Sequence, residues 1–401
     1  MTPAQRDVRR REIGGQDRLD RRLGVPPRSA LISPLTWLLS LLRTRSALGL
    51  APSLTPAVIF LPLGVVLGPQ VLGWLPGRGL GVGPLDIGVT VALAVLGVLV
   101  GMALAREARS AARLFAAASL ESVITIAAVA LATAYFVRAT NLPHDAPLLT
   151  LALALGLCAS ASSATSADPD SEPAAAVATR VADLDDVLPI AIAVVAFAMV
   201  PTLSGTDVLV RTLAPIVMGL AVGGVGWLLF ERAESGAERV VFVLGTLALA
   251  GGAAAHLRVS PLGVGLFAGL CWTLAPGRAD RIVQDDLVKV QHPLVVMLLV
   301  SAGAAWVPSI VAVWLLVPYL LFRLAGKVVG AWVSARLVDV SPSDLAAYLM
   351  SPGVLAVAFA LNFKQILSQE AGDMLLSTVV VGTAAFELFA LAVVPHWRRA
   401  H

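Results

Sequence analysis

Apolar runs of about twenty residues recur from one end of the chain to the other, separated by short polar stretches. Inside the runs apolar and polar positions do not alternate. A helix of about 20 apolar residues matches the hydrocarbon thickness of a bilayer, whereas a membrane barrel alternates over segments of about 10 residues. The pattern therefore predicts an all-α polytopic membrane protein. Its runs fall near 55–75, 87–105, 112–137, 147–165, 176–203 and 208–230, then near 239–257, 260–276, 287–306, 309–335, 345–367 and 374–397. That gives twelve spans, or thirteen if the shorter run Ala30 to Leu42 also crosses. The shorter run follows an Arg-rich tail as a leader peptide would. Arg43 and Arg45 come directly after it without a small-residue cleavage site, so it reads as uncleaved. It is either a short extra span or a helix lying in the interface.

Composition agrees with this. The chain is 58% hydrophobic and 14% charged, against about 25% charged in soluble domains. A sequence pI near 9.2 invites a nucleic-acid reading, but topology accounts better for the arginines. The side holding 43–54, 106–113, 166–183, 231–239, 277–289, Arg336 and the C-terminus carries 14 Lys/Arg residues, and the opposite loops carry five. By the positive-inside rule the first side, with the C-terminus, is cytoplasmic. No nucleic-acid partner is expected. The Arg-rich tail 1–28 is expected to be disordered or held against anionic headgroups, leaving 29–401 as one transmembrane domain in the cell membrane. Cys158 and Cys271 lie in apolar segments without Cys/His metal spacing, so they read as packing residues and no cofactor is expected.

Charges inside the spans change the picture. Asp185 and Asp186 are adjacent within one apolar run, and Lys327 lies in the middle of another. Charge at membrane depth is costly and is found mainly where ions or protons move. Glu121, Glu387 and Arg323 are also intramembrane. Arg323 and Lys327 are four residues apart and share a helix face, so they need nearby counter-charges, which the four acids can supply. Neighbouring helical residues point about 100° apart. Hence one aspartate can face Lys327 while the other faces a water-filled cavity. A monovalent cation and protons would compete for such carboxylates, and that competition gives cation/proton exchange if the site opens to one side at a time. Arg323 and Glu387 read instead as a structural bridge between spans, and Glu121 as either a supporting acid or a helix contact.

Two spans carry breaks. The run 147–165 ends in CASASSATSADPDSEP, where Ser160, Ser162, Ser163, Thr165 and Ser166 can satisfy backbone groups freed by unwinding. The run 345–367 carries Ser351-Pro352-Gly353. Interrupted helices in corresponding places of two halves point to a midplane site. One break precedes the aspartates and the other follows Lys327.

Four motifs then carry a resemblance. PLGVVLGPQVLG at 62–73 is similar to a Gly-x-x-x-Gly-Pro…Leu-Gly helix. The small polar break contains Thr165-Ser166. LDDVLPI at 184–190 is similar to a paired-aspartate helix, and RLAGKVVGA at 323–331 to a lysine helix. Together they resemble bacterial sodium/proton antiporters of the monovalent cation:proton antiporter superfamily, nearest its antiporter-2 branch. The resemblance implies inverted repeats with crossing broken helices, a mobile core (about 112–203 and 309–397) and a dimerisation and gate domain (about 55–105 and 208–306). It implies a homodimer in which Asp186 binds the cation and protons. Asp185 would pair with Lys327 and exchange protons with it, and Thr165 and Ser166 would border the site. An Asp-Asp pair implies electrogenic exchange, two protons per cation. The chain departs from the family in a short stretch between Thr165 and Asp185, in a stunted first span, and in Pro189, expected within the same helix as Asp186. No long C-terminal nucleotide-binding domain follows, so regulation of that kind is not expected.

Other classes fare worse. An intramembrane aspartyl protease needs aspartates on two facing helices, and here they are adjacent. No Gly-x-Gly-Asp, HExxH or nucleophile motif occurs in a span, so the chain does not read as an enzyme. A sodium-coupled organic-anion symporter could use the basic pair Arg323/Lys327, and a non-transporting sensor could retain the fold.

Overall fold

Outward faces of the helices are greasy and inward faces carry the polar groups. Along Ile310–Val338, the side chains of Ile310, Val313, Trp314, Val317 and Leu321 are exposed, while Tyr319, Arg323, Lys327 and Ser334 are fully buried. That inversion suits a hydrocarbon solvent. A computed structural model describes residues 56–75, 84–107, 112–141, 146–163, 173–200, 205–276 and 279–400. Among these it contains helices and no strand. The run 30–42 lies outside the described residues.

The helices are α1 (Pro56–Leu67), α2 (Pro84–Glu107), α3 (Ala112–Thr140), α4 (Leu148–Ser160), α5 (Pro173–Leu184), α6 (Val187–Met199) and α7 (Gly205–Arg232). They continue with α8 (Gly236–Leu257), α9 (Pro261–Leu274), α10 (Ala279–Ala304), α11 (Ile310–Val338), α12 (Pro342–Tyr348), α13 (Val354–Lys364) and α14 (Gln369–Ala400). Six are long and apolar enough to cross a membrane, and five apolar stretches are shorter. Two of the shorter ones arise where an expected span is interrupted. The run 147–165 stays helical only to Ser160, and 345–367 divides into α12 and α13. The run expected as one helix over 176–203 divides into α5 and α6 at Asp185-Asp186.

Pro189 gives the reason for that last correction. Lacking an N–H, it cannot donate to the carbonyl four residues back, which is that of Asp185. The Ser122 hydroxyl donates to that carbonyl instead, at 2.7 Å. Regular bonds resume on either side, from Asp185 N–H to the Val181 carbonyl and from Ile190 N–H to the Asp186 carbonyl.

Packing sorts the helices into neighbourhoods. In one, α9 lies against α2 and α7, with α8 beside them. Gly97 and Gly101 of α2 face Gly265 and Gly269 of α9 across backbones so close that a methyl group on any of the four would meet a carbonyl. These are the small-residue pairs that replace hydrophobic driving force between helices in lipid. In the other, α3 pairs with α11 and α4, while α13 packs against α4 and α14. The 62–73 motif acts in packing. Gly64 and Gly68 press on the α10 backbone around Val300 to Ala304, and Gly73 turns the chain at φ +65°.

Candidate ion-binding site

Two interrupted helices meet end to end inside the second neighbourhood. Beyond Ser160 the chain is non-helical through Ala161–Ser163, as it is again at Ser351–Gly353. The Ser163 N–H donates to the Ser351 carbonyl at 2.9 Å, and a Cβ on Gly353 would stand 2.9 Å from the Ser162 carbonyl. Only residues 161–172 separate α4 from α5, which runs straight into the aspartates. Thr165 and Ser166 lie outside the described residues.

The C-terminus of α4 presents unpaired carbonyls and the negative end of the helix dipole. Two cations of α11, Arg323 and Lys327, meet it. Arg323 donates to the Ala159 carbonyl and, at 3.0 Å, to the Ala161 carbonyl, and its guanidinium lies 5.0 Å from the Phe386 ring centre. The Lys327 ammonium donates to the Ser160 carbonyl. The expected Arg323–Glu387 bridge is thereby corrected: the arginine is committed to backbone. Glu387 accepts from the Ser351 hydroxyl at 2.9 Å, on the other break.

Lys327 also stands 3.0 Å from Glu121 Oε1, 3.0 Å from Ser162 Oγ and 3.6 Å from Asp185 Oδ2. Thr125 donates to the same Glu121 oxygen at 3.1 Å. Ser162 passes its own proton to Asp185 Oδ2, so it bridges ammonium and carboxylate. Close approach of α3 to α11 makes this possible. A Cβ on Gly326 would stand 2.9 Å from the Thr125 Cα, and one on Gly330 would stand 3.1 Å from Glu121. The two glycines flank Lys327 and leave room for the helix that carries its acid.

Asp185 and Asp186 diverge. Asp185 is fully buried on the lysine side, while Asp186, 4% exposed, lines a cavity of about 490 Å³. Ser162, Ser163, Asp183, His292 and Glu387 line the cavity too. Asp185 Oδ1 and Asp186 Oδ1 are buried without a hydrogen-bond partner among the described residues. Orphan carboxylate oxygens of this kind are costly unless something occupies them, and a cation or a proton would. Among the described residues no cluster of three His, Cys, Asp or Glu side chains forms a resident metal site.

Sequence reasoning passed over Ser122 and the side-chain role of Ser162. It also passed over Asp183, although three-residue spacing puts Asp183 on the face of Asp186. It left Glu121 between two roles, and the small residues at 326 and 330 were the available signal that a helix comes close there.

Comparison with known proteins places the fold. The solved structure of the sodium proton antiporter MjNhaP1 from Methanocaldococcus jannaschii at pH 8 is similar, with a TM-score of 0.57 and 17% sequence identity. The match covers 85% of this chain and 90% of that one. No family model matches the chain, and no curated protein does. At such identity the likeness is one of fold alone. It stops short of the antiporter-2 branch and of a bacterial source.

Proposed function

We propose that the protein is a multi-pass secondary active transporter that exchanges a monovalent cation, sodium before others, for protons. The observation that carries this reading is a buried Asp185-Asp186 pair at a helix break, beside Lys327 and the crossing of two interrupted helices, with Asp186 on a cavity. Cation and protons compete for the two carboxylates. Exchange follows if the site faces one side at a time. The antiporter fold supports the same reading.

In finer detail, the protein is an electrogenic exchanger of the antiporter-2 branch, a homodimer of the cell membrane with its C-terminus in the cytoplasm, built on twelve spans or thirteen. Helices 112–203 and 309–397 form the moving core, and 55–105 and 208–306 form the gate and dimer surface. Support for that division comes from the packing neighbourhoods and from the cavity, whose lining includes Pro56, Ala57, Leu96, Gln291 and His292 on one side and Asp186 and both breaks on the other. With the C-terminus inside, the cavity opens to the cytoplasm. An anion symporter loses its main argument, because Arg323 is bound to carbonyls and not presented to a ligand.

Purified protein in proteoliposomes under an imposed pH gradient tests the proposal. Addition of Na⁺ should dissipate the gradient reported by a lumenal dye, and choline should not. If Na⁺, Li⁺ and K⁺ all fail in correctly inserted protein, the exchange reading is wrong.

A further inference from the structure

An ammonium has three protons to donate. Two of those of Lys327 go to Ser162 Oγ at 3.0 Å and to the Ser160 carbonyl, and the ammonium forms an ion pair with Glu121 Oε1 at 3.0 Å. Asp185 is the farther of the two acids, its nearer oxygen 3.6 Å away, beyond hydrogen-bond range. We infer that Glu121, and not Asp185, is the resident counter-ion of Lys327, which leaves Asp185 to stand with Asp186 as a second carboxylate for the transported cation. The inference rests on the exchange reading and deepens it.

Three further observations point the same way. Glu121 is built into its place: Thr125 donates to the oxygen that faces the lysine, and Gly330 gives the glutamate stem its room. Asp185 is tied at its backbone by Ser122 and at Oδ2 by Ser162, while its Oδ1 is buried without a partner among the described residues. Asp186 Oδ1 is in the same position on the adjacent residue. Charge counting completes the case. With Lys327 neutralised by Glu121, the aspartate pair keeps its full negative charge for cation and protons. A lysine paired to Asp185 would instead cancel half of it and make every incoming cation compete with an ammonium. In this geometry Glu121 is a positioning residue. It holds the ammonium back from Asp185 without touching the cation.

The test is the Na⁺ dependence of exchange in proteoliposomes for wild type, Glu121→Gln and Thr125→Val. Without its anionic partner Lys327 turns to Asp185. The KM for Na⁺ in Glu121→Gln should then rise about tenfold, the equivalent of one charged hydrogen bond, out of proportion to any fall in maximal rate. Thr125→Val should move KM the same way by less. The double variant Glu121→Gln/Lys327→Gln, which removes both charges, should bring KM back toward wild type. A merely structural glutamate would lower the maximal rate along with the amount of folded protein and leave KM alone. Removing one partner of a buried pair can prevent folding, and if Glu121→Gln does not reconstitute, Thr125→Val decides. An unchanged KM in every variant that reconstitutes, with wild type active, overturns the inference and leaves the exchange reading standing. A wild type inactive with Na⁺, Li⁺ and K⁺ overturns both.

Discussion

At the scale of single residues, the two adjacent aspartates differ through one missing hydrogen. Pro189 withholds the N–H that would have closed the helix over the Asp185 carbonyl, and Ser122 takes its place from another helix. The break lets Asp185 point toward Lys327 while Asp186 lines the cavity. The roles of these two residues can be separated by substitution. Asp186→Asn keeps size and polarity but cannot carry charge, so it should abolish Na⁺-dependent dissipation of a pH gradient. The variant should elute as wild type does on size exclusion. Retained exchange would remove Asp186 from the site. Pro189→Ala restores the donor at 189. The healed helix should hold or raise the thermal unfolding midpoint while exchange falls, because the Asp185 carbonyl trades Ser122 for its own helix. A variant with wild-type exchange would show that the break is incidental.

At the scale of elements, the pairing of α3 with α11 is what brings Glu121 to Lys327, and it depends on Gly326. A methyl group there would meet the Thr125 Cα at 2.9 Å, a backbone atom that cannot swing aside. Gly326→Ala should therefore destabilise by about 1–3 kcal/mol, as overpacking does, despite a helix-propensity gain of at most about 1 kcal/mol. Gly224 of α7 has nothing within 4 Å of its added Cβ. Gly224→Ala should be neutral or slightly stabilising, and thermal unfolding of the two variants side by side measures the contrast. If Gly326→Ala unfolds at the wild-type temperature, the close approach is not holding the site together.

The same elements show how much could be read from the sequence. Helices, the breaks at 161–163 and 351–353, and the intramembrane charges all follow from local composition, because apolar length and breaker residues act over a few positions. Which charge meets which partner does not. That depends on helix crossings, and the sequence records these only as scattered small residues such as Gly97, Gly101, Gly326 and Gly330. Charge alone matches Arg323 to Glu387, whereas the carbonyls at the C-terminal end of α4 hold it. A broken helix offers acceptors that carry no formal charge. Pro189 is legible in the sequence as a local oddity, yet its consequence depends on Ser122, which meets the Asp185 carbonyl from 63 positions away.

At the scale of the whole molecule, the seam between the two helix neighbourhoods holds two cavities. One is the aspartate cavity. The other, about 530 Å³, is lined by Asp86, Thr90, Arg211, Arg258 and Gln365. Cross-seam contacts cluster near the second. The Asn362 amide of α13 donates to Ser260, the N-cap of α9, at 3.3 Å, and the Gln365 amide donates to Thr90 of α2 at 3.4 Å. Ser260 and Asn362 are buried, so the seam is closed there while Asp186 lies on the other cavity. If exchange proceeds by alternating access as proposed, these contacts part in each cycle. In a background with Cys158 and Cys271 replaced by alanine, cysteines at 260 and 362 joined by a short, reducible thiol cross-linker should stop Na⁺/H⁺ exchange. Reduction should restore it. Protein shown by mass to be fully cross-linked, yet exchanging at the uncross-linked rate, would mean that the seam does not move in transport and that the two neighbourhoods work as one rigid body.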